Sequence, residues 1–255
     1  MHRRQFVAGA LTAGAVSLGG CTASAAVPPP RVPQQQLNDG GWERVDEETG
    51  VVFERSVASV SVTATQHTLR FSDVGLRSEI DERTLGNLSD DLMVFFATRV
   101  NFNPNIDNLP AGVGRAEIMD AITENANAGF REQLQAAGLQ NISESGTGTV
   151  TVDTGEQASL TRYSAEFPFE GIRFGVTDEE AIQIPGRAIA IEGQMAVWHH
   201  GDFALIAGGA YPAENFETTV TDSLSSAIDV TIDIDLNLTP KRYAQEVTSL
   251  LKGVQ

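Results

Sequence analysis

The sequence predicts an α+β fold in which an antiparallel sheet packs against helices. Most apolar residues alternate with polar ones at a period of two, in stretches joined by short turns. Three other stretches repeat their apolar residues about every four positions, which is typical of an amphipathic helix. Because strands outnumber helices and short turns join most of them, an antiparallel sheet carrying helices is the arrangement that buries both patterns.

The strand pattern occurs in seven stretches. The turn at 200–202, His200-Gly201-Asp202, predicts a hairpin between its two flanking strands. The last stretch alternates cleanly, so its apolar residues can face a core while its threonine and aspartates face water. The predicted strands are 60–65, 92–102, 149–152, 160–169, 188–199, 203–211 and 230–236.

The helical pattern occurs in three stretches. Gly138 follows the first as a stop, and the third begins with Thr239 as a cap and Pro240 at the first helical position. The apolar positions are Ile118, Ile122, Ala126, Phe130 and Leu134 in the first helix, Phe216, Val220, Leu224 and Ile228 in the second, and Tyr243, Val247, Leu250, Leu251 and Val254 in the third.

The first twenty residues have a composition unlike the rest of the chain. A basic start precedes a mildly apolar run at 6–20 that is too short to span a membrane as a mature helix. The start reads Arg3-Arg4-Gln5-Phe6-Val7, and the run ends in Leu18-Gly19-Gly20-Cys21. The first segment resembles a twin-arginine export signal, and the second resembles a lipobox.

These resemblances imply that a lipid is attached to Cys21, which becomes the first mature residue, and that the protein is exported and anchored to the outer face of the cell membrane. A plain signal peptide with a chance cysteine and an uncleaved N-terminal anchor remain as alternatives. The predicted organisation is a signal peptide at 1–20, the lipidated cysteine with a Pro- and Gln-rich tether at 21–41, and a single α+β domain at 42–255.

The charge of the chain excludes one class of partner and indicates an environment. The 17 basic and 34 acidic residues give a net charge of −17, so a nucleic acid is not an expected partner. Only Lys241 and Lys252 are lysines among the basic residues. This acid-rich, lysine-poor pattern resembles haloarchaeal proteins, because salt screens the self-repulsion of an acidic surface.

The plan of the chain as a whole resembles a haloarchaeal lipoprotein family, the domain of unknown function 6517. The hairpins and closing helix of the C-terminal half are also similar in layout to the α/β/α sandwich of PsbP/Mog1-type proteins. Neither resemblance supplies a catalytic residue.

The search for metal and cofactor chemistry yields no site. His199 and His200 are neighbours on a predicted strand, so their side chains point to opposite faces and cannot easily bind one ion. The sequence has no His-Glu-x-x-His motif and no cysteine pair, and we therefore expect no metal and no cofactor. Asp229, Asp233 and Asp235 share a strand face, but they lack the spacing of a calcium loop.

Catalytic and phosphate-binding motifs are equally weak. The sequence has no Gly-x-Ser-x-Gly turn, and the serines at 142–146 are predicted to lie in a polar loop. His67 could act as a base, although a structural strand histidine is the commoner case. The glycines at 112–114 precede a helix, but they lack the lysine and the third glycine of nucleotide-binding loops. We therefore predict no catalytic residue.

Three Asn-x-Ser/Thr sequons are possible glycosylation sites in an exported chain, at Asn87, Asn141 and Asn237. Taken together, the sequence predicts a membrane-anchored, non-enzymatic protein that binds a membrane or surface protein partner. Two alternatives stay open, a small extracytoplasmic hydrolase and the solute-binding component of an importer.

Overall fold

The computed structural model describes residues 27–57, 60–108, 114–175, 181–225 and 228–255. Nine strands occur within these ranges. They are β1 (Trp42–Val57), β2 (Val60–Asp73), β3 (Val94–Asn103), β4 (Gln140–Thr151), β5 (Gln157–Gly175), β6 (Ala181–His200), β7 (Phe203–Pro212), β8 (Glu217–Ser225) and β9 (Ile228–Asp235).

Seven of these strands form one antiparallel sheet in the order β1-β2-β3-β7-β6-β5-β4. The strands β8 and β9 form a separate hairpin. The helices are α1 (Gln34–Asp39), α2 (Val74–Arg83), α3 (Arg115–Ala136) and α4 (Pro240–Lys252), with a short 3-10 helix at Ile106–Asn108. The α+β prediction is thereby confirmed.

Helices lie on both faces of the sheet. Because successive strand residues point to opposite faces, neighbouring residues of one strand enter different cores. Phe95 packs into a core shared with α1, α2 and α4, whereas Phe96 packs into a core shared with α3. We call these two sides the α4 face and the α3 face. The predicted helix stripes are the buried ones, with Ile118 and Phe130 inside on α3 and Val247 inside on α4.

Strands β5 and β6 extend beyond the sheet as a two-stranded arm, at residues 167–175 and 181–190. The β8–β9 hairpin packs against this arm, and the rings of Phe169 and Phe216 meet edge to face at 4.9 Å. The two strands of the arm approach closely at Gly171 and Gly186. A Cβ on either glycine would come within 2.3 Å of a backbone oxygen of the opposite strand, so a side chain cannot be accommodated there.

The helix predicted from Phe216, Val220, Leu224 and Ile228 is wrong, because this stretch forms β8 and β9. A spacing of four is also a multiple of two, so residues four apart share a strand face as well as a helix face. The prediction chose the wrong period. Of the four positions, the structure describes the side chains of Phe216, which is buried, and Val220, which packs partly against the same core.

The loop predicted at 142–146 is also wrong, because these residues lie within β4 at the edge of the sheet. The side chains of β4 are almost all exposed, and the strand therefore carries serine, threonine and glycine instead of an apolar alternation. Polarity alone did not separate an exposed edge strand from a loop.

The structure differs from the predicted tether over 21–41. Within the described part of that segment, Val27 and Leu37 are buried, and Gln34–Asp39 forms α1. The side chain of Leu37 joins the core of the α4 face. Residues 27–41 therefore pack against the sheet.

Candidate functional site

The first described residues and the C-terminal residues meet at one corner of the α4 face. The backbone of Arg31 pairs with that of Gln255, at 2.6 Å from the Arg31 nitrogen to the Gln255 oxygen and 2.8 Å in the reverse direction. The turn after β4 joins them, since the Asp153 nitrogen donates to the Lys252 carbonyl at 3.0 Å. We call residues 27–33 the N-terminal strap. We call the terminal corner the region made by the strap, residues 252–255 and the adjoining parts of β2, β3, β5, β6 and β7.

The strand register brings polar side chains together at this corner. His67 of β2 is paired with Arg99 of β3, and Asn101 of β3 is paired with Phe203 of β7. His200 lies opposite Phe203 on the far side of β7. At the terminal corner, therefore, the α4 face of the sheet carries polar side chains beside its apolar ones.

His67 links the strap to the sheet and is itself buried, with 8 % of its surface exposed. Its Nδ1 lies 2.7 Å from the carbonyl oxygen of Val27, and its Nε2 lies 2.7 Å from Oε1 of Glu47. A carbonyl oxygen and a carboxylate oxygen both accept, so both contacts are hydrogen bonds only when the ring carries two protons. This ring is occupied on both sides and is not positioned as a free base.

His200 makes a second histidine–carboxylate pair, with its Nδ1 2.6 Å from Oε1 of Glu156. The pKa of Glu156 is held below its usual range, first by the Thr154 hydroxyl beside it and then by its own backbone amide and His200, against an opposing effect of burial. Glu156 therefore stays ionised near neutral pH.

Arg99 is the cation at the centre of the terminal corner. Its guanidinium carbon lies 3.6 Å from the centroid of the Phe203 ring, and its Nε donates to Oδ1 of Asn101 at 2.9 Å. Burial and the nearby Arg31 lower the pKa of Arg99, and Asp202 opposes them. Arginine remains charged under these conditions, so the corner presents a fixed positive charge held over an aromatic ring.

Three buried polar atoms in the described ranges lack a hydrogen-bond partner, namely Oε2 of Glu156, Nε1 of Trp198 and Nε2 of His199. Trp198 lies in the core of the α4 face, two residues before His200 on the same strand. A buried donor and acceptor of this kind take their hydrogen bonds from water or from a ligand.

His199 points away from His200, as the sequence predicted. Its Nε2 lies 3.6 Å from Oδ1 of Asp107 in the short 3-10 helix, and Asp107 also pairs with Arg115 at the start of α3. The two histidines cannot reach one ion. Across the described ranges, no group of three or more histidine, cysteine or acidic side chains is placed to hold a metal.

The side-chain contacts of His67 and His200 at the terminal corner join them to a backbone carbonyl and to two carboxylates. Nucleophilic catalysis uses a hydroxyl or thiol beside the base, whereas these ring contacts go to carbonyl and carboxylate oxygens. A shallow, open depression of about 370 Å³ adjoins the corner. It is lined by Asp153, Ala244, Gln245, Thr248, Ser249 and Lys252.

The other predicted positions are scattered. All three sequon asparagines are exposed, Asn87 after α2, Asn141 on β4 and Asn237 before α4. The side-chain nitrogens of Asn87 and Asn141 already donate, to the Thr84 carbonyl at 2.8 Å and to Glu166 at 2.7 Å. Gly112 and Val113 lie outside the described ranges. So do the export-signal and lipobox residues, which are Arg3, Arg4, Phe6, Leu18, Gly19, Gly20 and Cys21.

Sequence reasoning missed Arg99 and Glu156. Arg99 carried a usable signal, because it is a charged residue inside the apolar stretch at 92–102 and shares a face with the buried Phe95 and Ala97. Glu156 carried none, since it is one of 34 acidic residues.

Comparison with known proteins assigns the chain to a family. The family described as Domain of unknown function (DUF6517) matches residues 29–255, and the chain belongs to it. No curated protein and no solved structure matches the chain. Within the described ranges, no helix has the length and apolar character needed to cross a bilayer.

Proposed function

We propose that this family member is an exported lipoprotein, held at the outer face of the cell membrane by a lipid on Cys21, where it acts as a non-enzymatic binding or accessory protein. One observation carries the proposal. The chain's single cysteine closes a lipobox-like segment behind a twin-arginine-like start, and Val27, six residues later, is buried.

The docking of the strap sets where the body would sit. Val27 is buried, and its carbonyl oxygen accepts from His67. The chain from Cys21 to Val27 spans at most about 20 Å when fully extended. A lipid on Cys21 would therefore hold the terminal corner, with Arg31, Arg99 and Lys252, close to the membrane surface.

A binding role is favoured over catalysis by the state of the polar groups. His67 is engaged on both ring nitrogens, His200 is paired with Glu156, and the adjoining depression is open. A hydrolase would need an activated nucleophile beside one of these rings. The net charge of −17 with two lysines supports a high-salt setting such as that of haloarchaea, in which the protein would fold before export.

Cell fractionation of the Cys21→Ser chain tests the anchor. The unchanged chain is expected in the membrane fraction, and the variant is expected to be exported and released into the medium. Ser24→Ala, a change of similar size three residues away, should stay on the membrane. Retention of Cys21→Ser on the membrane would refute the lipid anchor.

Crosslinked affinity capture in high salt, with the full chain beside Cys21→Ser, tests the accessory role. A membrane protein crosslinked to the anchored form and lost with the released form is the expected result. An empty capture from both forms would count against a protein partner and in favour of a small-molecule ligand.

A further inference from the structure

Among the strands that the structure describes, the exposed edges are protected against pairing, with one exception. An open edge offers unpaired backbone groups to any other strand, and proteins block it with charges, prolines, bulges or a covering segment. At the first edge of the sheet, β1 carries seven charged residues among its sixteen. They are Glu43, Arg44, Asp46, Glu47, Glu48, Glu54 and Arg55.

The β5–β6 arm and the small hairpin are protected in other ways. Pro168 lies on β5 and Pro185 on β6, in the parts of these strands that have lost their outer neighbours. Proline has no N–H to donate, so it interrupts an edge. The β8–β9 hairpin carries five acidic residues, namely Glu217, Asp222, Asp229, Asp233 and Asp235.

The second edge of the sheet is β4, and only its first half is protected. Its pairing with β5 shifts register twice, between Gln140 and Ser143 and between Glu144 and Gly146. Such bulges twist an edge away from an incoming strand. From Gly146 to Thr151 the pairing is regular, and the sequence Gly-Thr-Gly-Thr-Val-Thr has neither a charge nor a proline.

The surroundings of this six-residue segment are also unusual for an acidic protein. Thr147 and Thr149 are exposed. The nearest acidic residue on β4, Glu144, is paired with Arg131 at 2.8 Å. Arg162 on β5 lies beside Gly148, where a Cβ would be 3.7 Å from its Nη1. Asp153 and Glu156 lie in the turn that follows the segment, whereas the six residues of the segment carry no charge of their own to repel a second copy.

We propose that residues 146–151 of β4 are a self-association edge, which pairs antiparallel with the same segment of a second copy of this chain. A two-fold axis brings the same edge of both copies together, and an antiparallel pair of identical edges offers each backbone N–H a carbonyl of the other copy. Antiparallel pairing would join two seven-stranded sheets into one continuous sheet. A six-residue contact buries less than the roughly 1,000 Å² of a stable interface, so the dimer is weak and depends on concentration.

Cysteine crosslinking tests the proposal directly, because the body contains no cysteine. In the full chain carrying Cys21→Ser, single cysteines are placed at Thr147, Thr149 and Thr151 and oxidised in about 1 M salt, where the Debye length is about 3 Å. At least one variant is expected to form a disulfide-linked dimer, the most efficient being the one nearest the two-fold axis. Thr49→Cys, an exposed threonine on the protected edge β1, is the matched control and should stay monomeric.

Sedimentation of the same Cys21→Ser chain over rising concentration gives a second readout. The average mass is expected to rise towards that of a dimer, and the double change Thr147→Lys with Thr149→Lys should abolish the rise, whereas Thr49→Lys should not. A monomer at all concentrations, or equal crosslinking at Thr49 and Thr149, would overturn the proposal. Crosslinking of the β4 cysteines to a different protein while the chain stays monomeric would also overturn it.

Discussion

The two faces of the sheet bury different kinds of groups. On the α3 face one long helix covers the sheet, and its core is a stack of rings in which Phe130 lies 5.4 Å from Phe96 and 5.2 Å from Tyr163. On the α4 face several short segments cover the sheet, and polar side chains lie buried among them. These include His67, Asp73 and Gln194, whereas the buried polar groups on the α3 face include Thr68 and Thr98, whose hydroxyls bond to each other at 2.8 Å.

The difference shows what positions each cover. A single amphipathic helix such as α3 is held by apolar burial along its length, which has little directional preference. Short pieces such as α1 and the strap bury too little apolar surface to be held in this way alone. On the α4 face, hydrogen bonds define the contacts, as when the Trp42 Nε1 donates to Glu246 of α4 at 2.7 Å.

The largest expected effect breaks the apolar face. Phe130→Ala removes a ring that is 3 % exposed and leaves a cavity between α3 and the sheet. We expect a loss of roughly 3–5 kcal/mol in the free energy of unfolding. Because no titrating group takes part, denaturant unfolding should show the same loss at pH 5 and at pH 8.

Leu85→Ala is the control for this change. Leu85 is apolar but 74 % exposed, so its truncation should leave the free energy of unfolding within about 0.5 kcal/mol of the starting value. A loss at Phe130 that varied strongly with pH would contradict the view that apolar burial is what chiefly holds the α3 face.

The two longest helices, one on each face, could be predicted from sequence, because a long amphipathic helix carries an unambiguous period. The stripe from Ile118 to Leu134 and the closing helix after Pro240 have the observed faces inside. The failures fall where the period is ambiguous or absent. The β8–β9 hairpin shares its spacing of four with a helix, and β4 is too exposed to alternate.

The candidate site was less predictable, for a physical reason. Its contacts join residues far apart in the chain, such as His67 with Val27 and Arg31 with Gln255. Local patterns do not report which strands become neighbours or where the chain ends return. A histidine in a strand was visible, but its two acceptors were not.

The second prediction concerns the polar face and pH. Asp73 caps α2 by accepting from the Leu76 amide at 2.8 Å. Burial, reinforced by Glu246, raises the pKa of Asp73 from 3.8 to about 6, although its hydrogen bond to Leu76 opposes the rise. The folded protein therefore holds this proton more tightly than the unfolded chain, and the resulting stability is lost as the pH rises from 3.8 to 6.

Asp73→Asn isolates that contribution, because asparagine caps a helix about as well without a charge. As the pH rises through this range, the original chain should lose about 3 kcal/mol in the free energy of unfolding relative to the variant. Above this range the difference between the two should stay constant. Asp39→Asn, an exposed change at the last residue of α1, should show no such shift. A difference that is constant from pH 3.5 to 8 would contradict the raised pKa.

The smallest expected effect loosens one piece of the polar face. In His67→Gln the side chain still has a donor. Its single amide nitrogen cannot reach both Val27 and Glu47, which the two separate ring nitrogens of His67 contact. Loss of one buried hydrogen bond corresponds to about 1–2 kcal/mol, which is roughly a tenfold rise in local opening. Hydrogen exchange at the Arg31 amide, which donates to Gln255, should therefore accelerate by about that factor.

The α3 face supplies the internal control for this measurement. Amides in the middle of α3 should exchange at unchanged rates in His67→Gln, because the strap contributes nothing to that core. Equal acceleration in α3 and in the strap would mean that His67 supports the whole fold instead of holding one segment. Unchanged exchange at Arg31 would mean that the backbone pairing of Arg31 with Gln255 holds the strap without the histidine.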